Sequence, residues 1–389
     1  MKRNYISLVV AAMVATGLNA ADTLEDALKS GKITGDVSVF FEGRNVTNGT
    51  PDTYYANTGW AVGSVGLGYK TGSYNNFSAA IGFRAAAPLW EDNKHFQTGH
   101  GTGDSTERIY EDDRVLLGNL YLEYDDGKTL VRVGRQEMLT EWLGKYNDGV
   151  RITNKSIDNL TLDLFWTQRQ SRVYFKEMWG ATDRNKDNGG VYNVGATYQT
   201  PVGLELKVYG LYADEIFSAV GAKAKYSTKI NNTELGGTLH YAQTNEKQAN
   251  VEDGKMFEAT LFAKANGYTG TLGYVQTGKK NGWGSINIAG DYPTVPFEEG
   301  DAMYEKDVKT FYGMINTNIQ QFDLTVLYGT TEFTSKATNQ RGRQDEVSVW
   351  ASYPLTKSLT ATLIYDRTFG ASSIIPTVEQ VGALLTYKF

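Results

Sequence analysis

The side chains of this chain best suited to chemistry are arginines. Arg132, Arg151 and Arg169 recur in successive segments in which apolar and polar residues alternate, and Arg84 stands in an earlier segment of the same kind. Glu137, Glu141 and Asp148 fall in the stretch between the first two. A guanidinium stays charged at any physiological pH and offers a rigid fork of donors. A patch of them facing carboxylates sets up a fixed transverse field, which orients dipolar solutes and guides carboxylates or zwitterions without making or breaking bonds. The same residues could instead brace one another through local salt bridges.

Covalent chemistry has less to stand on. The chain has no cysteine and three histidines, His95, His100 and His240. Of these only His240 lies in a predicted strand, and no nucleophile motif singles out Ser105 or Ser171. The reading is therefore not an enzyme, with no cofactor. His95 and His100 share one loop without a compact ligand constellation, so no metal site is expected. That loop is acidic, with Glu91, Asp92, Asp104, Glu107, Glu111, Asp112 and Asp113. It could gather cations or hold a divalent ion, although a solvated surface explains it as well. A formal charge of −6 argues against nucleic acid as a partner.

Strands must position these residues. Segments of about ten alternating residues run from Ile33 to the terminal Phe389, the pattern of a membrane-spanning barrel. The eighteen candidates begin near Ile33, Trp60, Phe77, Val115, Thr129, Gly149, Leu160, Val191, Leu204, Ser218, Thr233, Lys255, Tyr268, Val308, Phe322, Glu346, Leu359 and Val378. A count of sixteen is the runner-up. Every second connection is brief, as at Asn266-Gly267 and Asp125 to Lys128, whereas Ala87 to Arg114 and Gly278 to Asp307 are long. Short periplasmic turns and long extracellular loops follow.

Parity places aromatic residues at both ends of the outward face. Tyr69, Phe77, Tyr198, Tyr226, Tyr268, Phe322 and Phe389 form one belt; Phe41, Phe83, Trp166, Tyr212, Tyr241, Tyr312 and Tyr328 form the other. The remaining face is charged with both signs, including Arg84, Arg132, Arg151, Arg169, Lys207, Lys223 and Lys309 against Asp36, Glu42, Glu123, Asp163, Glu258 and Glu346. Such a wall needs water beside it. The segment Met138 to Asp148 is expected to fold inward as a constriction that brings Glu141 and Asp148 close to the arginines, with Glu137 at its start.

The ends of the chain fix the compartment. Lys2 and Arg3, an apolar run to Leu18 and Asn19-Ala20-Ala21 read as an export signal. The expected organisation is a cleaved signal at 1–21, a periplasmic lead-in at 22–32 with Thr23 capping a helical turn, and a barrel over 33–389. Outer-membrane lipid and small hydrophilic solutes are the implied partners; a plugged receptor or adhesin barrel is the alternative.

Leu24-Glu-Asp-Ala-Leu-Lys-Ser-Gly-Lys-Ile-Thr-Gly-Asp36, Val131-Arg-Val-Gly-Arg-Gln136, Asn147-Asp-Gly-Val-Arg-Ile-Thr153 and Leu385-Thr-Tyr-Lys-Phe389, in that order, resemble OprD-like porins, especially the Opr-type major outer-membrane porins of epsilonproteobacteria. The resemblance implies an all-β barrel of eighteen antiparallel strands in the Gram-negative outer membrane. It also implies passive diffusion of small hydrophilic solutes and ions, a pore narrowed by inward loops and lined by wall arginines, and assembly as a homotrimer.

Overall fold

Backbone groups that enter hydrocarbon must find partners within the protein, and a sheet achieves this only by closing on itself. The computed structural model describes residues 21–47, 57–91, 114–176, 178–289, 297–298, 301–370 and 376–389. Its strands, in chain order, are β1 Lys32–Thr47, β2 Thr58–Lys70, β3 Phe77–Glu91, β4 Val115–Asp125, β5 Thr129–Glu137 and β6 Tyr146–Ile157. Next come β7 Leu160–Val173, β8 Met178–Asp183, β9 Val191–Gln199, β10 Leu204–Ala213, β11 Phe217–Ile230, β12 Thr233–Glu246 and β13 Lys255–Ala265. The last six are β14 Tyr268–Thr277, β15 Lys306–Ile319, β16 Phe322–Thr334, β17 Arg341–Pro354, β18 Leu359–Phe369 and β19 Thr377–Lys388.

Successive strands pair antiparallel, and β1 pairs with both β2 and β19. β8 is an addition to the wall: it pairs with the loop end of β7, whose remainder pairs directly with β9. Eighteen strands therefore close the barrel, not sixteen. β8 lies within a connection that alternation alone read as loop. Seven of the eight turns on the opposite rim have two to four residues and the eighth, 71–76, has six. That rim is the turn end, and the other is the loop end.

The faces follow the pleat. Val208, Val220, Leu261, Leu272 and Leu363 point to lipid and are exposed, while Thr167, Thr310 and Ser348 on the inner face are fully buried. Phe77, Tyr198, Tyr226, Tyr268, Phe322 and Phe389 are exposed at the turn end; Phe41, Phe83, Tyr212, Tyr241 and Tyr328 are exposed at the loop end. Such girdles suit rings whose polar edge prefers the membrane–water boundary.

Tyr312 departs from the expected belt. Asp307 takes a left-handed backbone (φ 50°), and the register shifts between Lys306 and Lys309. Beyond this bulge Phe311 faces out, whereas Tyr312 turns in and packs with Leu327 and Trp350. Lys309, expected inside, is exposed. One extra residue reverses every side chain beyond it.

At the chain start Thr23 caps a short helix, α1 Leu24–Lys29, its hydroxyl accepting from the Asp26 amide at 3.1 Å. Ala27 is buried against the first turn, where the Gly72 amide donates to its carbonyl at 2.8 Å. Residues 1–20, His95, His100 and the acidic run Asp92 to Asp113 lie outside the described residues.

The last residue completes the seam. Gly35 and Phe389 exchange both backbone hydrogen bonds at 3.1 Å. A Cβ on Gly35 would sit 2.5 Å from the Phe389 ring and 2.9 Å from the Gly66 carbonyl oxygen. The ring can swing away; the backbone oxygen cannot. Gly35→Val is expected to destabilise the folded barrel by about 1–3 kcal/mol, read as a lower temperature for losing the compact, heat-modifiable band on a denaturing gel.

Candidate functional site

The inner wall from β1 to β7 holds most of the arginines singled out by the sequence, each already facing an acid. Asp36, Gly66 and Arg84 lie in register on β1, β2 and β3. Because Gly66 has no side chain, the Arg84 guanidinium lies across it and donates to Asp36 at 2.5 Å and to the Ser64 hydroxyl at 2.8 Å. Arg132 donates from Nε to Glu123 at 2.8 Å and stands 4.3 Å above the Tyr121 ring, while Lys70 reaches the same carboxylate at 2.6 Å. Arg151 is looser: 3.8 Å from Asp163, 3.3 Å from the Thr153 hydroxyl and 5.0 Å from the Phe165 ring centre.

Arg169 does not join them. A bulge between β6 and β7 pairs Asp148 with Arg169 but Gly149 with Thr167, so Gln168 is the extra residue. Past it Arg169 is half exposed and binds Asp183 of β8 at 3.3 Å. Gln170 is the residue that turns to the interior, donating to the Gly144 carbonyl at 3.0 Å.

The connection from Met138 to Lys145 packs on inward-facing side chains of the wall. Met138, Trp142 and Leu143 are fully buried, in one cluster with Phe165, Tyr209, Leu211, Phe217, Met256 and Trp283. The loop docks on the wall of β10 to β13. Trp142 Nε1 donates to the Tyr209 hydroxyl at 2.7 Å, and Glu141 accepts from Lys207 at 2.6 Å with Lys223 at 3.8 Å. Glu141 thus goes to these lysines, which corrects the expectation that it lies close to the arginines. Burial opposes its charge, but Lys207 and Lys223 outweigh that and hold its carboxyl below the ordinary range.

Of the other two acids, Asp148 lies on a strand and not in the loop, while Glu137 does stand at the loop's start. Asp148 belongs to β6 and accepts from Nε and Nη2 of Arg135, at 2.5 and 2.8 Å. Glu137 sits at the root of the loop, with the Tyr174 hydroxyl donating to it at 3.4 Å. Strand alternation marks neither Arg135 nor Trp142 as a site residue. The apolar Met138, Trp142 and Leu143 in a connection were the available signal, since exposed apolar clusters are uncommon and these three are buried while Leu139 beside them is not.

A second segment crosses from the opposite side. After β7, Phe175 and Met178 pack on Phe40, Trp60, Val62 and Ala86. Lys176 extends to Glu42 and Glu298, 3.5 Å from each. Phe297, next to Glu298, joins Tyr312, Leu327 and Trp350. Glu42, Glu346 and Asp366 make this sector acidic, with Arg44 donating to Glu42 at 3.2 Å. Among the described residues no cluster of three acids or histidines has the arrangement to hold a metal ion.

Comparison with known proteins agrees with this geometry. Acinetobacter baumannii OccAB4 superposes with a TM-score of 0.75 at 15% identity, over 92% of this chain and 98% of that one. Pseudomonas aeruginosa OccK9 (OpdG) gives 0.76 at 12%, over 93% and 99%. Pseudomonas aeruginosa OpdK, solved with vanillate, gives 0.74 at 14%, over 93% and 99%. No curated protein matches the sequence. A family model described as Campylobacter major outer membrane protein matches residues 1–351. With a closed eighteen-strand wall around a charged lumen, the chain belongs to the Campylobacter major outer membrane protein family and is an outer-membrane porin, a channel for small solutes.

Proposed function

We propose that this porin is a narrowed diffusion channel favouring small solutes that carry a carboxylate, zwitterions among them, with Met138 to Lys145 as its constriction. The observation that carries the proposal is the inward loop, pinned by Glu141 and Trp142 to one side of the lumen while Arg84, Arg132 and Arg151 line another. A solute carboxylate meets the donors of Arg132 and Arg151, and its ammonium is drawn toward the sector of Glu42, Glu346 and Asp366. Opposed patches of this kind align a dipole during passage. Pairing of each arginine with a wall acid also supports a bracing role for Arg84, the most tightly held of the three. Export through a cleaved signal at 1–21 and assembly as a homotrimer complete the proposal; their support is the leader-like sequence and the family likeness.

Two outcomes test this reading. Arg132→Ala combined with Arg151→Ala should shift the zero-current potential under a KCl gradient toward cation selectivity and weaken block by small dicarboxylates; an unchanged potential in single-channel recording would reduce these arginines to braces. The Glu141 tether has its own pH signature. Its lowered carboxyl contributes stability above the ordinary carboxylate value of about 4.3, and that contribution is lost only as pH falls through the still lower folded value. The difference in thermal stability between the wild type and Glu141→Gln should therefore be constant from about pH 7 to pH 5 and shrink below about pH 4.

A further inference from the structure

Behind the constriction loop a buried chain of polar groups continues from Trp142 into the wall, beyond the part that the channel reading uses. Trp142 Nε1 lies 2.7 Å from the Tyr209 hydroxyl, that hydroxyl lies 2.6 Å from His240 Nε2, and His240 Nδ1 lies 3.1 Å from Glu258. His240 and Glu258 are buried on the inner face of β12 and β13, where they are direct cross-strand partners. Tyr209 reaches His240 by lying across Gly221 of β11, where any Cβ would collide with its ring.

The direction of this chain follows from what each group can do. An indole N–H only donates, so the Tyr209 oxygen accepts from Trp142. Its own proton then needs an acceptor, and His240 Nε2 serves if it is bare. The ring proton is accordingly on Nδ1, aimed at Glu258. Every donor points from the loop into the wall.

We propose that His240 is a positioning residue of the channel: through Tyr209 it holds the Trp142 side of the inward loop in place, and a second proton on its ring releases that hold. This rests on the loop being the constriction. With Nε2 protonated, two donors would face each other across 2.6 Å. The Tyr209 hydroxyl has to rotate to accept, and its proton loses its partner inside a buried site.

The groups beside His240 are Lys223 opposite it on β11, Glu258 on β13, Tyr209 from β10 and Trp142 from the loop, with Glu141 and Lys207 beyond, Glu141 being paired to both Lys223 and Lys207. Lys207 and Lys223 are committed to Glu141, whose carboxyl is held low. Histidine is the only side chain in this set whose ordinary ionisation lies between pH 5 and 8.

The test is single-channel recording of the full folded protein at a series of pH values from about 8 to 5. The wild type should gain open-channel noise and brief conductance changes toward acid, reversibly. His240→Gln, which keeps an acceptor but cannot take up the proton, should lose that pH dependence. Tyr209→Phe, which keeps the ring over Gly221, should be noisy at every pH, so the proposal is testable even if one variant fails to fold. A wild type that records identically across the series, or a His240→Gln that keeps the wild-type profile, overturns the assignment. Glu141→Cys, modified with a bulky thiol reagent in this cysteine-free chain, separates the two readings. Blocked current together with a flat wild-type pH profile sinks only the role of His240; current untouched by the adduct sinks the constriction, and the His240 proposal with it.

Discussion

In hydrocarbon an unpaired backbone amide has no water to turn to, so a sheet can cross only if its first strand finds its last. Here β1 meets β19 over the whole run from Asp36 opposite Lys388 to Thr47 opposite Thr377, and Gly35 with Phe389 extends the seam by one more pair. Closing eighteen strands has a cost in shape. A ring of that size leaves more room than its wall side chains can fill. That room can take connections, and a connection placed inside needs apolar residues to dock and ion pairs to fix its charged ends. Met138, Trp142, Leu143, Phe175 and Met178 supply the first; Glu141 and Lys176 supply the second.

The wall accommodates these visitors by leaving gaps in its own pleat. Gly66 stands between Arg84 and Asp36, and Gly221 stands under the Tyr209 ring. In both places a side chain lies over a neighbouring strand to reach a partner two strands away. The absent side chain is what allows a charge pair on one side of the lumen and a hydrogen-bonded relay on the other. Both devices give buried polar groups a partner.

Much of this was legible in the sequence because a barrel obeys two local rules. Period-two alternation located all eighteen wall strands, and the contrast between short and long connections set their direction. What escaped notice was non-local. Bulges at Gln168 and near Asp307 reverse the pleat, which is why Arg169, Lys309 and Tyr312 sit on unexpected faces. Near the loop end the rule of polar residues inward also fails, since Phe40, Trp60, Leu327 and Phe333 face inward under cover of the folded loops. The destination of Glu141 depended on the path of its loop, which is set by Met138, Trp142 and Leu143 seating against distant strands. His240 was visible as a residue but not as a link, because its partners come from three other segments.

The wall arginines differ in how firmly they are held, and this bears on what each can do for a solute. Arg84 has a short bond to Asp36 and a second to Ser64, with only 12% of its side chain exposed. Arg151 is 3.8 Å from its acid and 32% exposed. A guanidinium already saturated by a carboxylate has little to offer a passing one, since a new bond must first replace an old one. A loosely paired guanidinium resting on a ring face can exchange partners at small cost. The three arginines thus form one gradient of pairing, with Arg84 the most tightly held and Arg151 the most loosely; the proposed preference for carboxylate-bearing solutes draws on the loose end.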